Sequence, residues 1–276
     1  MLILVFLVLA EPAIARSQNA SEPGADDGVA LVLAGGGALG FAHVGVIRAL
    51  EEAGVEVDLV VGTSIGSVVG ALYAAGYSAT ELNEIAKNAQ WRSLLFDRPE
   101  RQRRSSLQRA MQRDYTATIP FYDERDPSDA GVSQGQRVVE YLDALLEAFP
   151  YEIEFDRLPR RFRAVAADIV TGEEVIFDSG DLKSVVRASM AVPGLFAPIR
   201  YQGHYLVDGG LVNNVPVDVA RDLGYERIIT VRLSRPTREL EDLDSPSSVI
   251  TQSARMLRQA RQVSNLALSA VVIAPD

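Results

Sequence analysis

The residues best placed to do chemistry are Gly62-Thr63-Ser64-Ile65-Gly66, a G-x-S-x-G pattern. A short apolar run, Leu59–Val61, stops at Gly62, and a small apolar segment, Ser67–Ala75, follows Gly66. Strand, sharp turn and helix in that order describe a nucleophile elbow. The turn crowds its own backbone, which calls for glycine at 62 and 66. It pushes the Ser64 hydroxyl outward at a helix N-terminus, where unpaired N–H groups favour developing negative charge. The competing reading of the same five residues is an ordinary tight turn.

A serine that attacks must lose its proton to a base. The chain has two histidines, His43 and His204, and no cysteine. His43 falls in the first turn of a helix and His204 in a turn before a strand; structural roles are expected for both. Asp208 is the better candidate. It follows the strand-like Tyr205-Leu206-Val207, and Gly209-Gly210 behind it allow a sharp exit and close approach to another loop. A carboxylate with an ordinary pKa of about 4 is a weak base, so its surroundings must favour the transfer. The alternative is that Asp208 caps a turn. Asp168, at another strand end before Thr171-Gly172, is assigned no chemistry.

A second glycine loop, Gly35-Gly36-Gly37-Ala38-Leu39-Gly40, follows the apolar strand Val29–Ala34. The spacing Gly35-x-Gly37-x-x-Gly40 formally satisfies a dinucleotide fingerprint. That fingerprint expects an acidic residue at the end of the next strand, where this chain has the serine elbow instead. The other reading is an anion nest: glycine N–H groups at a helix N-terminus converge on one oxygen and hold a tetrahedral oxyanion. If strands one and two are parallel, both loops reach the same sheet edge, which favours the nest.

The remaining pattern is that of one α/β domain. Helices are expected at about Gly40–Ala53 (closed by Gly54), from Ser78 or Thr80 to Gln90, and at Gln134–Ala148, Asp181–Val192, Pro216–Leu223 and Ser248–Leu268. Strands are expected at Phe162–Ile169, Glu174–Phe177, Ile199–Tyr201, Tyr205–Val207, Arg227–Leu233 and Ala270–Ile273. A length of 276 residues suits one large domain or at most two. Without cysteine there is no disulfide, thiolate nucleophile or cysteine metal cluster, and two histidines do not make a histidine-rich metal site. The net charge of −10, from 27 basic and 37 acidic residues, argues against a nucleic-acid surface.

At the N-terminus, Met1–Ala10 is almost wholly apolar, and Ala13-Ile14-Ala15 supplies small residues for signal-peptidase cleavage. Residues 1–15 therefore read as a signal peptide or an apolar N-terminal segment, 16–28 as a linker and 29–276 as the catalytic domain. No Lys or Arg precedes the apolar run, which leaves a short membrane anchor or a buried strand as other readings. Between Trp91 and Arg113 stand Arg92, Arg98, Arg101, Arg103, Arg104, Arg109 and Arg113. Such a run is either a solvated face or a contact for anionic lipid headgroups.

These motifs together resemble the patatin-like phospholipases, and more narrowly their exported or outer-membrane-associated bacterial branch. The resemblance runs from about Val29 to the last residues. It rests on the glycine loop 35–40, the elbow 62–66 and Asp208-Gly209-Gly210, with Ala188–Phe196 and Val212-Asn213-Asn214-Val215-Pro216 in support. It implies a patatin-like three-layer α/β fold, with a central, mostly parallel β-sheet flanked by helices and a Ser nucleophile elbow. It further implies a Ser64–Asp208 dyad without histidine, an oxyanion hole at Gly35, Gly36, Gly37 and Ala38, and no metal or organic cofactor. The implied substrates are phospholipids or lysophospholipids met at a membrane surface, and the implied location is the periplasm, the outer membrane or outside the cell. One departure is Leu39, at a position often Arg or Lys in the family, which bears on headgroup preference. A neutral-lipid or general carboxylesterase and a catalytically silent lipid-binding or outer-membrane assembly module are the alternatives. In barrel-linked members of the family a further C-terminal region follows. The oligomeric state is not encoded in these motifs.

Overall fold

In the computed structural model the described residues are 28–95, 133–233, 252, 256 and 259–275. The expected export segment, most of the linker, the arginine run beyond Leu95 and the polar stretch 234–248 lie outside them.

Among the described residues, ten strands and eight helices carry the fold. In chain order they are β1 (Val29–Leu33), α1 (Phe41–Glu52), β2 (Leu59–Thr63), α2 (Ile65–Ala74), α3 (Ala79–Asn88), α4 (Trp91–Leu95), α5 (Gln136–Leu145), β3 (Ile153–Glu154), β4 (Arg161–Asp168), β5 (Glu174–Phe177), β6 (Ser179–Gly180), α6 (Leu182–Ser189), β7 (Ile199–Tyr201), β8 (His204–Asp208), α7 (Val217–Asp222), β9 (Arg227–Val231), α8 (259–266) and β10 (Val271–Ile273). The main sheet runs β10-β9-β1-β2-β4-β8-β7, with β5 on the other edge of β4. The ladders from β10 through β4 are parallel; β5, β8 and β7 join antiparallel. The sheet is thus mostly parallel, as expected.

Strands covered on both faces need apolar residues at every position, and β1 is VALVL. Its alternate side chains enter different cores. Leu31 and Leu33 join Val60, Phe162 and Ala164 under the helices α1, α2, α3, α5 and α6. Ala30 and Val32 join Leu59, Val61 and Val165 against Val217, Val219 and Ala220 of α7, with Leu266 of α8 beside them. The result is three layers with the sheet in the middle. Helix α2 is largely apolar on every face, as burial of all its residues from Gly66 to Ala74 requires. Helix α3 begins with a capping box, Ser78 accepting from the Glu81 amide and Glu81 from the Ser78 amide.

Two sequence expectations need correction. Helix α6 ends at Ser189, not Val192. Pro193 disfavours helical backbone at Val192, and the Ala191 carbonyl turns away to accept the Asp208 amide. His204 is not a turn residue: it opens β8 after a turn at Gln202-Gly203, both at positive φ. Of the expected helix over Ser248–Leu268, the described residues 252, 256 and 259–266 are helical.

The placement of β8 controls the rest of the molecule. β2 pairs with β4 only as far as Thr63 opposite Val165. β5 occupies the opposite edge of β4, opposite Ala164–Ala167. β8 therefore continues on the edge that β2 has vacated, with Asp208 opposite Ala166. The C-terminal ends of β2 and β8 meet head-on at consecutive residues of β4.

Candidate active site

Ser64 is the first residue after β2 and the N-cap of α2, with φ 56 and ψ −125. A non-glycine residue at positive φ is strained by about 1–3 kcal/mol and persists only where its surroundings hold it. Here they do. A Cβ on Gly62 would lie 2.5 Å from Gly66 O, and one on Gly66 only 2.1 Å from Leu33 O. Both clashes are with backbone, which cannot swing aside. Gly66→Ala is accordingly expected to destabilise the fold by about 3 kcal/mol, read as a Tm lower by roughly 10 °C.

The Ser64 Oγ donates a 2.6 Å hydrogen bond to Asp208 Oδ2. Both side chains are buried, 7% and 6% exposed. The other carboxylate oxygen, Oδ1, accepts the Gly210 amide at 2.7 Å, so Asp208 does cap the turn after β8. Capping and contact with the serine are not alternatives: one oxygen serves each, and the cap fixes the orientation of the carboxylate. Gly209 is needed for this exit, since a Cβ there would meet Val165 O at 2.1 Å. Ser189, at the end of α6, accepts the Ser64 amide at 2.9 Å and donates to Val165 O at 2.6 Å, tying the elbow to β4. Ser67 closes the elbow by donating to Ser64 O at 2.6 Å.

The glycine loop lies beside this pair, as parallel β1 and β2 require. A Cβ on Gly35 would stand 3.2 Å from Ser64 Cβ and 2.6 Å from Asn214 Oδ1. The four loop residues expected to hold an oxyanion are not equivalent. The Gly35 amide already donates to Asn214 O at 3.0 Å, and Asn214 Nδ2 returns a bond to Gly35 O at 3.2 Å. Gly36 packs on Leu233. Gly37 and Ala38 begin a 3-10 turn, Gly37–Gly40, whose leading N–H groups have no partner within the turn. Both residues are exposed, and neither amide bonds elsewhere among the described residues. Leu39 and Phe41 are exposed next to them, with Phe41 5.1 Å from the Trp91 ring.

Neither histidine reaches the serine. His43 is fully buried and its Nε2 donates to Ala34 O at 2.8 Å, anchoring the start of the glycine loop. Burial lowers its pKa to about 4, the bond to Ala34 opposing that only partly, so it is neutral at physiological pH. His204 stands at the far end of β8 from Asp208, about 13 Å away at ~3.3 Å per residue. Its Nδ1 meets Asp168 Oδ2 at 2.7 Å, and Asp168 also accepts the Val170 amide. Asp168 thus has a structural partner, in keeping with its lack of an assigned chemical role.

Several residues at the site escaped the sequence reading. Ser189, Asn213 and Asn214 fall in stretches noted for family resemblance, yet nothing local in them signals a contact with Ser64 or Gly35. Among the described residues no group of three His, Asp or Glu side chains is placed to hold a metal ion. No helix there is long and apolar enough to cross a membrane.

Comparison with known proteins bears on the same residues. Residues 31–221 match the family described as "Patatin-like phospholipase". Among curated proteins, the chain is 34% identical over 235 residues to "Uncharacterized NTE family protein Rv1063c" of Mycobacterium tuberculosis, covering 83% of this chain and 56% of that protein. It is 36% identical over 189 residues to "Uncharacterized NTE family protein MT2641" of Mycobacterium tuberculosis, covering 68% and 27%. It is 37% identical over 205 residues to human "Patatin-like phospholipase domain-containing protein 6", covering 74% and 13%. The chain therefore spans between about an eighth and just over half of these relatives. Among solved structures, VipD from Legionella pneumophila aligns with TM-score 0.48 at 19% identity, over 86% of this chain and 55% of that one.

Proposed function

The chain belongs to the patatin-like phospholipase family, and from that premise we propose that it is a lipid acyl hydrolase. It cleaves carboxylic-ester bonds of phospholipids or lysophospholipids through an acyl-serine intermediate. The observation that carries this reading is the buried 2.6 Å hydrogen bond from Ser64 to Asp208, beside the glycine loop whose Gly37 and Ala38 are exposed.

Ser64 Oγ attacks the ester carbonyl carbon while its proton passes to Asp208 Oδ2. The carbonyl π-electrons move to oxygen, and the Gly37 and Ala38 amides receive the oxyanion. Collapse breaks the ester C–O bond, and the departing alkoxide of the glycerol backbone takes the proton from Asp208. Water then attacks acyl-Ser64, giving a proton to Asp208. Collapse of the second oxyanion releases the fatty acid and returns the proton to Ser64. No step draws on a cofactor. Fixed amide donors suit this chemistry because they need no reorganisation when charge appears.

Leu39 favours one second reading. An exposed leucine where many members of the family carry a cation supplies no charge for a phosphate, and a neutral-ester hydrolase would have no use for one. Fatty-acid release from phospholipid, lysophospholipid and triacylglycerol dispersions separates the two. Release dominated by the phosphate-containing lipids is expected; release from neutral esters alone supports the carboxylesterase. No release from any of them, with vesicle binding retained, supports a silent lipid-binding module. Silence is disfavoured by the contact between Ser64 and Asp208. Export of the chain, and its residence at or beyond the periplasm, remain part of the proposal and rest on residues 1–15.

A base other than histidine has a direct consequence. His204→Gln is expected to leave kcat within about twofold, and the pH–rate profile between about pH 6 and 8 unchanged in shape. A titrating histidine base would instead impose an acid limb there, measured on a soluble short-chain ester.

A further inference from the structure

We propose that Arg261 and Asn265 of helix α8 are positioning residues for the active site, acting through the loop Val212–Val215. The inference deepens the reading of Ser64 as nucleophile and rests on it. Its starting point is that one short loop holds both halves of the candidate site. Asn213 O accepts the hydroxyl of Thr63, the residue before the serine, at 2.9 Å. The next residue, Asn214, exchanges two hydrogen bonds with Gly35, at the root of the oxyanion loop. A shift of this loop therefore moves nucleophile and oxyanion donors together.

The loop is held in turn from α8, about fifty residues further along the chain. Asn265 is buried, and its Nδ2 lies 3.0 Å from Asn213 Oδ1, 2.9 Å from Val215 O and 3.0 Å from Asp218 Oδ1. Asn213 Nδ2 reaches Glu174 Oε1 and Asp218 Oδ1, each at 2.8 Å. Arg261 completes the clamp: it donates to Val212 O at 3.3 Å and Asp218 Oδ2 at 2.8 Å, and it ion-pairs with Glu174. Asn213 is 2% exposed, so its amide has little water to fall back on. Without Asn265 its Oδ1 loses a donor and the loop has a reason to move. Helix α8 thereby links the C-terminal part of the chain to the geometry around Ser64.

The test uses the full chain carrying Asn265→Leu, which keeps the volume and removes the amide, beside Arg261→Gln and Arg261→Lys. Turnover of a soluble short-chain ester is normalised to active sites titrated with a phosphonate ester. Misplacement by an ångström or less lowers rate more than binding, so kcat is expected to fall about 10- to 100-fold in Asn265→Leu with KM within about threefold. Arg261→Lys, which retains a cation for Glu174 and Asp218, recovers part of what Arg261→Gln loses. Amide hydrogen exchange, which needs no turnover, is expected to speed up at both 33–40 and 60–67 in Asn265→Leu while β4 stays protected. Wild-type exchange at both loops in Asn265→Leu overturns the proposal. So does unchanged kcat per titrated site. If the wild type itself shows no Ser64-dependent turnover, the nucleophile reading fails, and the exchange result still decides whether α8 holds the two loops.

Discussion

On the proposed mechanism, Ser64→Ala is expected to remove ester hydrolysis, with kcat down by at least about 10,000-fold and the fold intact. The size follows from the proposed role: without Oγ no acyl-enzyme can form, and what would remain is whatever the oxyanion donors and binding supply to attack by water. The substitution deletes only an oxygen and leaves the elbow glycines, the Ser189 contact to the residue-64 amide and the Asp208 cap in place. Phosphonate labelling should be lost in parallel, and intact-protein mass spectrometry should place the label on Ser64 in the wild type. A parallel Ser64→Gly variant adds a test of strain. The φ of 56 at this position suits glycine and not alanine, so the glycine variant should be more stable than the alanine variant by about 1–2 kcal/mol although both are inactive. Residual turnover above about 1% of wild type in either variant would exclude Ser64 as the nucleophile.

Asp208→Asn is the second large effect, with kcat down by about 1,000-fold or more and KM changed little. The amide has the shape of the carboxylate, and its oxygen can still accept the Gly210 amide, so the turn after β8 should survive. It has no lone pair basic enough to take the serine proton. Residual activity in this variant should therefore rise with pH, as hydroxide replaces the missing base, where the wild type is level. Thermal unfolding and circular dichroism check the fold. Near-wild-type kcat in folded Asp208→Asn would mean that another group takes the proton. His43 is a poor candidate for that role: it is buried, its Nε2 is taken by Ala34 O, and burial lowers its pKa to about 4, which makes it a weak base.

The two halves of the candidate site were legible in the sequence to different degrees. The elbow is a local object: Gly62 and Gly66 sit where backbone crowds backbone, so the motif and its geometry are nearly the same statement. The glycine loop was legible as a candidate anion nest, but not which of its amides are already bonded within the fold. Gly35 and Ala38 lie in one short loop, but Asn214, 179 residues from Gly35, takes the Gly35 amide, while Ala38 stands exposed at the head of a 3-10 turn. Asp208 was visible through its glycines as base or cap, but not that one of its oxygens would face Ser64 and the other the Gly210 amide. Ser189 and Asn265 carried no local signal. Each is one polar residue in a helix, and its value comes from what lies across the packed interface.

What depends on neighbours along the chain was mostly readable from the residues themselves. The apolar strands able to be buried on both faces, the glycines that permit the elbow and the exit at Gly209, and the capping box at Ser78 all follow from local sterics and short-range hydrogen bonds. Tertiary structure alone decided that Ser64 and Asp208, 144 residues apart, share a hydrogen bond. That contact exists because β4 extends beyond the end of β2 and β8 takes over the exposed edge, which brings two strand ends together at Val165 and Ala166. Strand register over such distances is set by which faces and edges are buried across the whole sheet, and no window of sequence contains that information.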